Sequence, residues 1–351
     1  MSRPRPTRLL AVALTASLLA PSAFAARSEV CKLAPSDAAR AAAAERAFAV
    51  DRELGYGLEE LADGVYAASD GNFSMAVIVT EEGVVLVDAP TSMGAVIAPM
   101  VRSVTDRPIT HVIYSHAHAD HIGGAAELEG DFRVLASAGA AEELSRFNRL
   151  GRTYPFGTFV GGTGAVPSPD TIVEGTHTLR TGGRALRLDT LQTGHSGADM
   201  VVFVPEARTL VAVDVTWPAS VPWIRLGDAD NGPGFVAQNR ALREYDFEHL
   251  VAGHFAIVGD RRDVELTVAY LEDLRRESVA ALREVKVSAV AEETGHRDPY
   301  TLMDAYFQRT IDRAAAPVIE RWRDELQGAG VWTCQHAQWT ISSLRYDQAA
   351  R

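Results

Sequence analysis

The chain has 351 residues, 47% hydrophobic and 23% charged, with 28 Gly, 16 Pro and 2 Cys. That profile excludes a disordered, collagenous or disulfide-scaffold protein, and the length suits one large domain with additions, or two domains, at about 100–200 residues each. With 34 Lys plus Arg against 46 Asp plus Glu, a formal charge of −12, the molecule repels polyanions at long range, so nucleic acid is not an expected partner.

Residues 1–25 read as a secretory signal peptide. Arg3, Arg5 and Arg8 form a basic start, Leu9 to Leu19 is apolar, and Ala23-Phe24-Ala25 is a small-x-small cleavage site. Pro21 ends the apolar run too early for a span, which needs about 20 residues, so no membrane anchor is expected after cleavage. Losing three Arg and no acid moves the charge from −12 to −15. A secreted or periplasmic location is oxidising, and an even cysteine count there favours a disulfide over two unpaired thiols. A Cys31–Cys334 bridge would close a very long loop, worth about 4–5 kcal/mol or somewhat more in the chain-entropy model.

In chain order, residues 26–60 form an N-terminal helical segment. Pro35-Ser36-Asp37 precedes an Ala-rich, charged stretch that ends at Glu53 and has a weak apolar face. Residues 61–262 alternate short β-branched runs with Gly, Asp and Pro: Val65–Ala68, Met75–Thr80, Val84–Val87, His111–Tyr114, Arg133–Ala136, Ala185–Leu191, Met200–Val204 and Thr209–Val213. Pro205 to Arg208 reads as a hairpin turn, and Met93–Val104 and Ala140–Asn148 as helices between strands. This predicts an α/β domain of packed sheets flanked by helices. Residues 263–351 form a helical extension in which apolar residues recur at three- and four-residue spacing from Val264 to Val285 and from Leu302 to Leu326, giving two long helices, the second kinked at Pro317.

The chemistry is concentrated where the apolar strand Thr110–Ser115 runs into His116-Ala117-His118-Ala119-Asp120-His121-Ile122-Gly123-Gly124. Residues two apart in extended chain project to one side, so His116, His118 and Asp120 can converge while His121 points to a neighbouring position. Four ligand-type residues in six are too many for one nearby ion, which suggests two. His111, His177, His249, His296 and His336 lie outside the pattern and read as packed or solvated.

The string His-x-His-x-Asp-His at a strand end resembles the signature of the metallo-β-lactamase superfamily. Further matches follow in order: Gly194-His195-Ser196-Gly197, Asp214 after Thr209–Val213, Gly253-His254 after Leu250-Val251-Ala252, and Asp88 after Val84–Val87. The resemblance implies an αββα sandwich of two mixed sheets. It implies one metal site of His116, His118 and His195, and another of Asp120, His121 and His254, with Asp214 bridging. Asp88 is implied to hydrogen-bond a ligand histidine from behind. Two Zn2+ per chain are expected from nitrogen and oxygen ligands without cysteine; iron or manganese would also fit.

Such a site implies a hydrolase in which a metal-bridging hydroxide attacks a small-molecule carbonyl substrate, an ester, lactone or lactam, with Asp120 as the catalytic carboxylate. A class B β-lactamase proper, an iron-dependent oxidoreductase and a non-catalytic metal-binding protein are the alternatives on the same fold. Alkyl sulfatases share the motif, but their larger architecture is not expected here. Trp217 stands where lactonase-like relatives carry a tyrosine, and indole cannot replace that phenol. Trp217, Trp223, Tyr154 and Phe156, with the C-terminal helices, are expected to wall the substrate pocket, the loop Gly151–Asp170 folding over it.

Overall fold

The structure, a computed structural model, describes residues 29–150 and 166–346. The signal-peptide reading and Tyr154 and Phe156 lie outside those residues. Thirteen strands among the described residues form two sheets. The first is seven-stranded: β1 (Gly57–Ala62), β2 (Val65–Ser69), β3 (Ser74–Val79), β4 (Val84–Val87), β5 (Ile109–Ile113), β6 (Arg133–Ser137) and β7 (Thr171–Val173), paired in that order. It is antiparallel as far as β4 and parallel from β4 to β7. The second runs β13 (Val258–Gly259), β12 (His249–Val251), β11 (Thr209–Val211), β10 (Met200–Val204), β9 (Arg184–Thr190), β8 (Thr176–Thr181), with only β11 and β12 parallel.

Strand β4 shows why the sheets stack. All four of its residues are buried; Val85 and Val87 enter the core between the sheets with Ile78, Ile113, Val202 and Val251. Val84 and Leu86 face the opposite way, onto Ile97 and Met100 of helix α2 (Gly94–Val104). A strand covered on both faces reads as a continuous apolar run for this reason. On the far side of the second sheet, Val201, Leu210 and Leu250 pack against Val264 and Val268. The helices flanking the first sheet also include α3 (Ala119–Ile122) and α4 (Ala138–Leu150).

The expected surface helix is present but shorter than the Ala-rich stretch: α1 (Asp37–Arg46) is capped by the Ser36 side chain and buries only Ala39 and Ala43. The guanidinium of Arg46 grips the buried Asp263 carboxylate through two hydrogen bonds of 2.7 and 2.6 Å. After α5 (Gly232–Ala241) comes the helical extension. It holds α6 (Arg261–Glu284), a short α7 (Val287–Thr294), α8 (Pro299–Trp322) and α9 (Ala329–Tyr346), so a third long helix joins the two expected. Pro317 lies inside α8 without interrupting it. The extension has its own core around Tyr270, Leu274, Ile311, Val318, Trp322 and Ile341. Cys31 and Cys334 are disulfide-bonded, with Cα atoms 5.7 Å apart across 303 positions. No helix among the described residues is long and apolar enough to cross a membrane.

Candidate metal centre

Every ligand-type residue of the sequence pattern sits just beyond a strand, at one end of the sandwich. His116, His118, Asp120 and His121 follow β5, His195 lies between β9 and β10, Asp214 follows β11 and His254 follows β12. Their ligand atoms form two groups, His116, His118, His195 with Asp214, and Asp120, His121 with His254, each within 4.8 Å. Asp214 is central. Its Oδ2 lies 3.0 Å from His121 Nε2, 3.5 Å from His195 Nε2 and 4.0 Å from His116 Nε2, while Oδ1 faces His254 Nε2 at 3.2 Å. Both Asp88 and Asp214 adopt positive φ, 65° and 57°, strained for a non-glycine residue. Gly253 is required beside them, because a Cβ there would lie 2.2 Å from Asp214 Oδ1.

The hydrogen bonds orient the rings. Ser115 N and Oγ donate to the two carboxylate oxygens of Asp88, each at 2.7 Å, so Ser115 Oγ accepts from His116 Nδ1–H at 2.8 Å. That fixes the His116 tautomer and leaves its Nε2 lone pair facing the cluster. His254 Nδ1–H donates to Asn72 O, again freeing Nε2. The expectation that Asp88 bonds a ligand histidine is corrected here: the carboxylate acts through Ser115. The His195 loop is tied down by Gln238, whose Oε1 accepts from His195 N while its Nε2 donates to Asp199.

Burial and four neighbouring imidazoles govern the charges. Desolvation pushes the Asp214 carboxyl up, but His121 and His254 outweigh it and hold the group well below the usual range. Burial disfavours charge on His121, yet Asp214 and Asp120 push it up to about 10. His116 is held well below the usual histidine range by burial and by His118 and His195. Asp88 is pushed up to about 7 by burial, against His121 and Ser115.

The donor set fits metal ions. His116 Nε2 and Asp120 Oδ1 are buried without a hydrogen-bond partner, and His195 Nε2 stands 3.2 Å from His118 Nδ1. Orphaned buried polar atoms are costly, and cations between them would satisfy all of them at once.

A cavity of about 480 Å3 opens on this cluster, with Phe73, Trp217, Trp223 and Ile224 on its walls. Trp217 and Trp223 both line it. Trp217 is buried and stacks on His254 at 4.4 Å, and Trp223 approaches the same ring at 4.5 Å. The C-terminal helices, expected as a wall, contribute no lining residue among those described. They act from behind: His336 of α9 donates from Nε2 to Trp223 O at 2.8 Å and contacts Tyr270 Oη through Nδ1 at 2.7 Å. Phe73, Ile224 and Ser115 were not singled out from sequence. Nor was the left-handed turn after Trp223, where Arg225, Leu226, Gly227 and Asp228 have φ of 52°, 60°, 73° and 56°. Such residues cost about 1–2 kcal/mol each when not glycine. The turn is held by Leu226 in the extension's core and by Asp230 N donating to His195 O.

Residues 70–282 match the family model of the metallo-beta-lactamase superfamily. No curated protein matches the chain in sequence. Among solved structures, a metallo-beta-lactamase from Pontibacter korlensis is 18% identical with a TM-score of 0.50, covering 62% of this chain and 99% of that one. Metallo-beta-lactamase IND-7 is 19% identical at 0.51, covering 62% and 98%. The stereoselective inverting sec-alkylsulfatase Pisa1 from Pseudomonas sp. is 17% identical at 0.56, covering 83% of this chain; the chain spans half the length of that enzyme. Eighty-three per cent of 351 residues is about 291, more than the 260 that precede α6, so this match includes part of the helical extension. The fold likeness thus reaches beyond the two-sheet domain, over half of that enzyme's length. The family match spans more than half of the chain, and with the two-sheet fold it places this protein in the metallo-beta-lactamase superfamily.

Proposed function

We propose that the chain is an exported zinc-dependent hydrolase of small carbonyl compounds, an ester, lactone or lactam. Residues 61–262 form its catalytic domain, and residues 26–60 and 263–351 are packed additions. The observation that carries this reading is the convergence of seven metal-ligating side chains, with unpartnered buried ring nitrogens, on the floor of an apolar-walled cavity. His116, His118 and His195 would hold one ion and Asp120, His121 and His254 the other, with Asp214 between them. Two divalent cations held there would supply a water acidified toward neutral pH and would polarise a carbonyl oxygen.

The remaining work falls to the chain. Asp120, with Oδ1 buried and unpartnered and Oδ2 3.6 Å from His121 Nε2, orients the attacking water and passes its proton to the leaving group. The Asp88–Ser115 pair holds His116 in one tautomer. Trp217 supplies no phenol to an oxyanion; it stacks on His254 and excludes water.

The test is a hydrolysis screen of the mature protein, with and without chelator, against a chromogenic cephalosporin, aryl esters, lactones and an alkyl sulfate. Chelator-sensitive turnover of a carbonyl substrate supports the reading. Oxygen consumption with bound iron would favour an oxidoreductase instead. A second reading, sulfate-ester hydrolysis, is favoured by the alkylsulfatase match that reaches into the helical extension; turnover of the alkyl sulfate alone would select it.

A further inference from the structure

The cavity has a charge pattern of its own. Its walls are the aromatic and aliphatic side chains of Phe73, Trp217, Trp223 and Ile224, and its charged lining beyond the metal ligands consists of Asp70 and Asp228. Among the described residues, no Lys or Arg lines it. Asp70 belongs to the turn between β2 and β3, where its Oδ1 accepts from Asn72 N and Phe73 N, both at 2.8 Å. Those bonds fix the carboxylate in place without neutralising it. Asp228 meets Arg225 at 3.8 Å with both side chains half exposed, a pair weakened by solvent screening. The Arg225 guanidinium lies over the Trp339 ring, 4.6 Å from its centroid, and does not line the cavity.

A bound substrate therefore meets two different surfaces. Its reacting group faces the histidines, while the group remote from the scissile bond meets indole, phenyl and isoleucine surface between two carboxylates. An apolar remote group gains from burial on these walls. A cationic one gains in addition from the aromatic faces and the carboxylates. An anionic remote group, held away from the metal-ligand end, meets no Lys or Arg among the described lining residues and two carboxylates of its own sign, so it is disfavoured.

We infer that the pocket selects substrates whose remote group is apolar and uncharged or cationic, and excludes those whose remote group is anionic. This deepens the hydrolase reading and rests on it for which end of the substrate faces the metal ligands. A sulfate reacting at the metal ligands is compatible with the rule, which concerns the far end of the molecule.

The test separates binding from turnover. Three hydroxamic acids share one metal-seeking head and differ in the tail terminus: tert-butyl, its cationic isostere trimethylammonium, or carboxylate. Their Kd values are measured by calorimetry on the zinc-loaded full chain at low and high salt. The tert-butyl and trimethylammonium compounds should bind about tenfold or more tighter than the carboxylate at low salt, and the gap between cation and anion should narrow with salt. Asp70→Asn combined with Asp228→Asn should remove the advantage of trimethylammonium over tert-butyl, and Trp223→Ala should weaken both. Carboxylate binding as tight as tert-butyl, or no hydroxamate bound by the zinc-loaded protein, would overturn the inference without recourse to any variant. If the predicted order holds but no ester, lactone, lactam or alkyl sulfate is turned over, the hydrolase reading fails and the charge selection stands. If turnover is found and the order is reversed, the charge selection alone fails.

Discussion

Asp88 and His116 are coupled without touching: Ser115 Oγ stands between them, 2.7 Å from the carboxylate and 2.8 Å from the imidazole. The carboxylate accepts a hydrogen bond from the hydroxyl, and the hydroxyl oxygen in turn accepts one from the imidazole Nδ1–H. Removing Ser115 Oγ in Ser115→Ala should therefore release the ring and lower metal affinity about 10- to 100-fold, the usual effect of such outer hydrogen bonds. Competition with a fluorescent zinc chelator measures it. An unchanged zinc affinity would show that the relay does not position His116.

Gly253 sets the distance between the last strand of the site and Asp214. Because a Cβ at this position would lie 2.2 Å from Asp214 Oδ1 and 2.9 Å from His121 Cε1, Gly253→Ala should displace the central carboxylate. The expected result is a folded protein, with far-ultraviolet dichroism unchanged, that binds less than half of the wild-type metal. Full metal content would contradict a central role for Asp214.

His336 links stability to pH. Burial lowers it from 6.5 to about 4, opposed by the hydrogen bonds to the Trp223 and Pro222 backbone. In the unfolded chain it protonates near 6.5, so between 6.5 and 4 the unfolded state binds more protons than the native one. Its contribution is thus complete above pH 6.5 and is lost as pH falls toward 4, by about 3 kcal/mol in all. His336→Gln keeps an N–H donor but cannot titrate, and should flatten this acid limb in urea unfolding curves. Parallel limbs for wild type and variant would contradict it.

The sequence-distant disulfide ties the N-terminal segment to α9. Cys31→Ser with Cys334→Ser should lower stability by about 5–6 kcal/mol relative to the oxidised protein in the chain-entropy model for a loop of 303 positions. Guanidinium unfolding under non-reducing conditions checks this; coincident midpoints would show that the bridge adds nothing.

The ligand-type residues were legible because four of them crowd into six positions after one apolar strand and the others recur singly, each behind its own strand. The inner strands were legible because both of their faces are buried, which leaves an unbroken run such as Val84–Val87. Other elements gave weaker signals. Strands β12 and β13 have three and two residues, too short for a pattern. Helix α9 buries Thr333, Cys334, His336 and Ala337 beside Ile341 and Leu344, so its inner face carries small and polar residues in place of an apolar stripe. Asp88 was recognised by its place at a strand end, but its partner Ser115 was not, since a serine beside a histidine carries no signal until the carboxylate is brought against it. The left-handed turn at 225–228 has one glycine among its four residues, and tertiary contacts impose the rest.

The central claim is that the His/Asp cluster holds two metal ions that carry out hydrolysis. Metal content of the purified mature protein by plasma mass spectrometry, paired with its turnover and that of Asp120→Asn, tests it most directly. The account predicts two zinc equivalents per chain in the wild type, and in Asp120→Asn much of that metal retained with turnover reduced at least about a hundredfold, the scale of a lost general acid–base group. A folded protein that retains no divalent metal, or an Asp120→Asn variant as active as the wild type, would contradict it.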